Sequence, residues 1–302
     1  VSANNFFASV RGASGISDQR VIYDRLEQRW LIVTINTSLP NRILIAVSDN
    51  AFSTPSTVWL LYQFQQDLVT PVGQDAGLLC DYPNAGVDAN AIYIGCDMFS
   101  ATQYFGSSLF VVRKSSVYSG GPIVVTVFRD LMGLGANPVT SGPNTPKGVV
   151  NFDPAATDGY FVGEDNALLG VLDLVRITTP GGVPTMIPFV PVATANFQNP
   201  LPVEHKGNDH PGGPFNGFLD GNDNRVMNAT MRNGTIWLAH GTALDSTGNG
   251  GTVSPDRDGV RWYQIGAPAA TPSILQSGTI YDPTVTLTPR SYTYGSVNVN
   301  GQ

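Results

Sequence analysis

Apolar and polar positions alternate along this chain in short runs, each broken by a polar turn, which is the period-two pattern of half-buried β-strands. One arrangement recurs. An apolar run enters a tight polar turn, and a second apolar run leaves it. Such turns are centred at Asp24, Asp88, Asp153, Asn233 and Asn300. A repeat of roughly 65 to 80 residues in an all-β pattern predicts the blades of a β-propeller. The first four turns are followed by a second apolar run; the fifth breaks off at Gln302.

Each copy extends to four strands. The first unit, 18–67, predicts strands at 20–23, 29–36, 42–48 and 59–64. The second, 81–130, places them at 82–87, 91–98, 108–114 and 123–129. The third, 148–197, has them at 148–152, 159–164, 170–177 and 186–193. The fourth, 223–281, has 225–231, 235–240, 259–265 and 273–280. Its first hairpin turns on Asn233-Gly234, the pair that best tolerates two successive positive φ angles. Residues 292–302 resemble the first strand and turn of another blade. The expectation is therefore a single all-β propeller domain over 1–302, built from four-stranded antiparallel blades: four complete repeats, the start of a fifth, and a fragment of a five- to seven-bladed ring. No helical periodicity of useful length interrupts it.

Composition agrees with many short strands and turns. Gly (33) and Pro (22) are abundant, 42% of residues are hydrophobic and only 13% are charged, which is not the profile of a disordered chain. The net charge is −7 and no basic stripe is present, so nucleic acid is not an expected partner. No run of uncharged apolar residues is long enough to span a membrane as a helix. Sparse lysine and plentiful Asn, Thr, Ser and Gly point to a secreted or cell-surface protein. Cys80 and Cys96 flank the second turn, almost opposite each other in a hairpin centred near Asp88. They are either a disulfide or two small buried apolar residues. Three N-x-S/T sequons begin at Asn36, Asn228 and Asn233.

Several runs carry a resemblance: Asp18 to Trp30, RILIAVS at 42–48 with WLLYQF at 59–64, Asp81 to Asp88, Asp223 to His240, and VRWY at 260–263. Together they resemble a family of exported bacterial β-propeller proteins, largely of unassigned activity. There is a more distant resemblance to sialidase-type propellers at Ser48-Asp49-Asn50. The spacing there departs from the Asp-box, and neither the arginine triad nor the Tyr/Glu pair of a sialidase is identified. The family implies no catalytic residues that transfer to this chain.

Blade geometry brings first-strand starts and second-strand ends to one face. At the starts stand Asp18 with Arg20, Asp81, and Asp223 with Arg225. At the ends stand Asn36, Asp97, Glu164 with Asp165, and His240. Three readings remain open for this acidic set. The carboxylates could cap backbone amides, with Arg20 and Arg225 as their ion-pair partners. Asp18, Asp81 and Asp223 could converge on Ca²⁺, which takes six to eight oxygens. Two of Asp18, Asp81, Asp97, Glu164 and Asp223 could form an acid/base pair for glycoside cleavage, with His240 as a further candidate base. Arg20, Arg225 and Asn36 are the expected ligand contacts. His205 and His210 lie in a Gly/Pro loop with too few further ligands for zinc. The four tryptophans sit in apolar strands and are expected to pack. The leading expectation is a non-enzymatic propeller that binds a glycan or protein through its acidic face; the alternative is a polysaccharide-acting glycoside hydrolase.

Overall fold

In the computed structural model, residues 1–73, 75–132, 137–204, 217–286 and 288–300 are described. Among the described residues the protein is nearly all-β, with three antiparallel sheets of four strands, the form of a propeller blade, and one of five. The chain divides into two compact units. One comprises 1–167 with 173–190; the other comprises 168–172 with 191–302.

In the first unit, after a short helix α1 (Ala3–Phe6), the first sheet runs β1 (Ile16–Asp24), β2 (Arg29–Asn36), β3 (Arg42–Ser48), β4 (Trp59–Gln65). The second runs β5 (Leu79–Val87), β6 (Ala91–Phe99), β7 (Tyr104–Arg113), β8 (Val125–Phe128), with a short helix α2 (Lys114–Tyr118) before its last strand. The third contains β9 (Pro143–Gly148), β11 (Asp158–Asp165), β12 (Val171–Thr178) and β13 (Thr185–Ala193), and a two-residue strand β10 (Val150–Asn151) follows β9. The second unit holds β14 (Val226–Arg232), β15 (Thr235–Leu244), β16 (Arg257–Gly266) and β17 (Ser273–Ile280), again in chain order.

The middle strands explain why the apolar runs are nearly unbroken. Leu31, Val33 and Ile35 of β2 are buried on one face, and Thr34 and Asn36 on the other. A strand covered on both faces has no solvent side on which polar residues would alternate. Outer strands lack this cover, as β13 and β17 show by their largely exposed positions. The main core of the first unit joins Leu31, Val33, Ile43 and Ile45 to Ile92, Ile94, Phe110 and Val112.

Three of the recurring turns are built by one device. Asp24 Oδ1 accepts from Leu26 N (3.0 Å), Asp88 Oδ1 from Asn90 N (2.7 Å), and Asp153 Oδ1 from Ala155 N (2.9 Å). A short carboxylate folds back onto the amide two residues on and mimics a turn of backbone. Asn233 and Gly234 supply φ values of 49° and 73°, as a two-residue hairpin with two left-handed residues needs.

Between the second and third sheets the backbones approach so closely that a side chain has no room. A Cβ on Gly86 would lie 2.3 Å from the Gly148 carbonyl carbon, and one on Gly95 would lie 1.9 Å from Pro146 O.

Three differences from the expected strands are informative. The first strand of the third sheet is 143–148, not 148–152, and its two prolines conceal it. Strand β7 starts at Tyr104 rather than 108. Residues 281–286 and 288–300, read in part as the start of a fifth blade, contain no strand. Instead Asn228 exchanges two hydrogen bonds with the Val297 backbone: Nδ2 donates to O (2.6 Å) and Oδ1 accepts from N (3.0 Å). Cys80 and Cys96 form a disulfide with Cα atoms 5.1 Å apart. In the β5–β6 register Cys80 pairs with Met98, two residues from Cys96, so the bridge runs diagonally rather than straight across.

Candidate functional site on the inner strands

The first strand of each sheet in the first unit carries the same irregularity. Between Ser17 and Arg20, Asp81 and Asn84, and Asn144 and Lys147, the inner strand spends three residue steps against two on its partner. Within each bulge one residue takes a left-handed conformation: Asp18 (φ 56°), Tyr82 (53°) and Thr145 (43°). In two cases a proline follows, Pro83 and Pro146, whose missing N–H costs nothing where the ladder is already interrupted. A bulge bends its strand and re-aims side chains, and such devices are common beside active sites.

Each bulge is thus bracketed by polar residues. Just before it, Asp81 faces Asp97, and Asn144 faces Glu164; in the first sheet the corresponding pair is Ser17 with Ile35. Just after it stand Arg20, Asn84 and Lys147. Asp97 is buried and well supplied with donors. Its Oδ1 accepts from Ser107 Oγ (3.0 Å) and Thr145 N (3.0 Å), and its Oδ2 accepts from Thr145 Oγ1 (2.9 Å). Asp97 therefore clamps the left-handed residue of the next inner strand. Glu164 Oε1 accepts from Asn144 Nδ2 (3.0 Å), and Asn144 Oδ1 in turn accepts from Tyr104 OH (2.7 Å).

Two cations stand just after the bulges of β1 and β9. The Arg20 guanidinium stacks 3.9 Å from the centre of the Tyr82 ring, a cation–π contact. Lys147 is buried and donates to Ala85 O (2.8 Å). Burial, reinforced by the nearby Arg20 charge, pushes its ammonium down to about 7, because a desolvated cation gives up its proton more readily. Asp81, Tyr82, Asp18 and Arg20 are half-buried, whereas Asp97 and Glu164 are covered. Asp18, Arg20, Asp81 and Tyr82 thus form a half-buried set at the bulges of β1 and β5, with Arg20 on the Tyr82 ring, while Asp97 with Thr145 and Asn144 with Glu164 are hydrogen-bonded and covered.

The sequence-predicted residues divide accordingly. Asp18, Arg20, Asp81, Asp97 and Glu164 all belong to this inner-strand set. Asn36, expected to touch ligand, is 1% exposed and shapes the β2–β3 turn instead: its Oδ1 accepts from Arg42 N (2.6 Å) and its Nδ2 donates to Pro40 O (3.1 Å). In the second unit, Asp223 and Arg225 hold each other. Arg225 Nε donates to Asp223 Oδ1 (2.6 Å) and Nη2 to Oδ2 (2.5 Å). His240 is fully buried, stacked on Tyr263 and 3.1 Å from its hydroxyl. Burial, with Arg261 adding to it, holds its imidazole down to about 3. It is enclosed between the Phe197 and Tyr263 rings, as a packed core group is. Among the described residues no group of three or more His, Cys, Asp or Glu side chains is arranged to hold a metal ion. The calcium reading through Asp18, Asp81 and Asp223 therefore finds no such cluster. His205 and His210 lie outside the described residues.

Sequence reasoning missed Lys147, Tyr82, Thr145 and Tyr104. A signal for three of them was present: Tyr82-Pro83-Asn84, read as the start of a strand, and Thr145-Pro146-Lys147, left outside the expected strands, both set a proline between two of these positions.

No protein-family model matches this chain, and none of the curated proteins does. Among solved structures it is similar to a GH43 β-1,3-galactosidase, at 11% identity and a TM-score of 0.41 over 86% of this chain and 45% of that one. It is also similar to a glycosyl hydrolase from Bacteroides ovatus, at 10% identity and a TM-score of 0.38 over 87% and 70%. The chain thus spans less than half the length of the first of these structures. Likenesses of this size carry neither an activity nor a substrate to this chain, and no sialidase relationship is supported. No helix among the described residues is long and apolar enough to cross a membrane.

Proposed function

We propose that the protein is a glycan-binding propeller that engages saccharide through the inner-strand rim of its first unit. The observation that carries this reading is the half-buried Arg20–Tyr82 stack next to Asp81. A sugar ring presents an apolar face to an aromatic side chain and hydroxyls to carboxylates and guanidinium, and this rim has all three groups. An exported setting fits the Cys80–Cys96 disulfide, since such bridges persist in oxidising compartments. Binding of polysaccharides should fall at least tenfold in Tyr82→Ala and in Asp81→Asn, measured by calorimetry or affinity electrophoresis. Unchanged binding in both variants would remove this face from consideration.

A second reading, hydrolysis, is favoured by one specific feature. Asp81, Asp97 and Glu164 come from adjacent inner hairpins, with Asp81 directly across from Asp97. Glycoside cleavage needs two carboxyl groups flanking a bond. Release of reducing ends by wild type, abolished in Asp81→Asn but with binding retained, would establish it; binding without turnover would leave the protein a lectin.

A further inference from the structure

The second unit contains a cavity of about 830 Å³, within the range that small ligands occupy. Its walls come from four separate stretches of chain, and each is fastened. Val203 and Leu219 exchange backbone hydrogen bonds of 2.9 and 2.8 Å, fixing the segments that carry Glu204 and Phe218. Leu201 N donates to Asp258 Oδ1 (2.8 Å). Asp258 N donates to Ser291 Oγ (3.0 Å), and Arg290 N donates to Asp282 Oδ2 (3.0 Å). Asp256, on the remaining side, is held by Arg257, whose Nε lies 2.7 Å from its Oδ1. The site is thus built from anchored segments.

Its chemistry is mixed. Leu201 and Phe218 give an apolar surface, Glu204 and Asp256 give carboxylate acceptors, Arg290 gives a donor, and Ser291 can do either. Behind Leu201 and Ser291 lies Asp258, fully buried, whose Oδ2 has no hydrogen-bond partner. The two aspartates flanking Arg257 are pushed in opposite directions. The Arg257 guanidinium holds the Asp256 carboxyl below its usual range, while burial pushes Asp258 up to about 6, against the Leu201 amide and the Ser291 hydroxyl. An anionic ligand would meet Glu204 and Asp256, and a cationic one would meet Arg290. A neutral ligand that both donates and accepts, with an apolar face for Phe218, matches every wall.

We infer that this cavity is a saccharide-binding site in its own right, which takes one or two neutral sugar units through Glu204, Asp256, Arg290 and the Phe218 ring. It rests on the glycan reading above but uses none of the same residues. Saturation-transfer NMR and calorimetry on the full chain with lactose, maltose and cellobiose test it. At least one disaccharide should bind, and Phe218→Ala and Arg290→Ala should each weaken it about tenfold. Binding that survives both cavity variants overturns the inference; if that binding is lost in Tyr82→Ala, the inner-strand reading stands without it. Absence of disaccharide binding by the wild type also overturns the inference, whereas the inner-strand face is judged separately by the polysaccharide measurements.

Discussion

Lys114 carries its charge into a site with almost no water. Its Nζ lies 2.6 Å from Asp24 Oδ2, and the two side chains are 2% and 0% exposed. It also donates to Asp88 O (2.8 Å), so one ammonium ties the first turns of two neighbouring blades. Removing one member of a buried pair leaves the other desolvated and unpaired, at a cost of about 3–5 kcal/mol. Lys114→Met should therefore lower stability by about that amount in urea titration. Arg176→Met, which breaks a partly exposed pair with Asp158, should cost about 1 kcal/mol or less; equal costs would contradict this account. Asp173 supplies a pH dependence. Burial, with the adjacent Asp165 carboxylate adding to it, pushes Asp173 from 3.8 to about 8. The folded state then holds a proton that the unfolded chain releases above pH 4. This contribution is neutral at low pH, and stability declines as pH rises from about 4 to about 8, by an amount on the order of a few kcal/mol. Lys147 acts in the opposite sense, because its ammonium is lowered from 10.5 to about 7; it adds stability as pH rises from about 7 toward 10. Asp173→Asn should flatten the urea midpoint between pH 4 and 7, where Lys147 does not interfere. An unchanged slope would refute the assignment.

At the scale of elements, the inner strands depend on close backbone approach. A methyl group on Gly95 would collide with Pro146 O, a backbone atom that cannot rotate away. Overpacking of this kind costs typically 1–3 kcal/mol, so Gly95→Ala should destabilise by about 2 kcal/mol or more and disturb Thr145, which Asp97 clamps. Gly234→Ala tests the turn by a different route: its surroundings are open, but its φ is 73°, so about 1 kcal/mol is expected from backbone strain alone. Thermal melts of the two variants would separate steric from conformational cost. Reducing the Cys80–Cys96 bridge, which closes a separation of 16 residues, should cost about 3 kcal/mol. These elements also mark what could be read in advance. Period-two alternation and Asp or Asn-Gly turns are local, so the hairpins at Asp24, Asp88 and Asn233 were legible from residues alone. The bulges were not, because an extra residue in one strand is defined only against its partner. Pro146 hid β9 for that reason. The Asp97–Thr145 clamp joins residues 48 positions apart, and the rise at Asp258 comes from burial, which no short motif encodes.

For the whole molecule, charge narrows the class of glycan. The chain carries −7 at neutral pH with a pI near 4.8, and acids dominate the inner-strand rim. A surface field of this sign repels polyanions over about one Debye length, roughly 8 Å at physiological salt. Sulfated or uronic-acid polysaccharides should therefore bind poorly at low salt and better as salt screens the repulsion. A neutral polysaccharide held by ring stacking and hydroxyl contacts should bind with an affinity nearly independent of salt. Affinity electrophoresis of the protein through gels containing either a neutral or an acidic polysaccharide, at 20 and 300 mM NaCl (~20 Å and ~6 Å of screening), distinguishes the two. Retardation by the acidic polymer that weakens with salt would mean that a cationic surface dominates recognition. Arg20 and Arg290 would then be the residues to neutralise first.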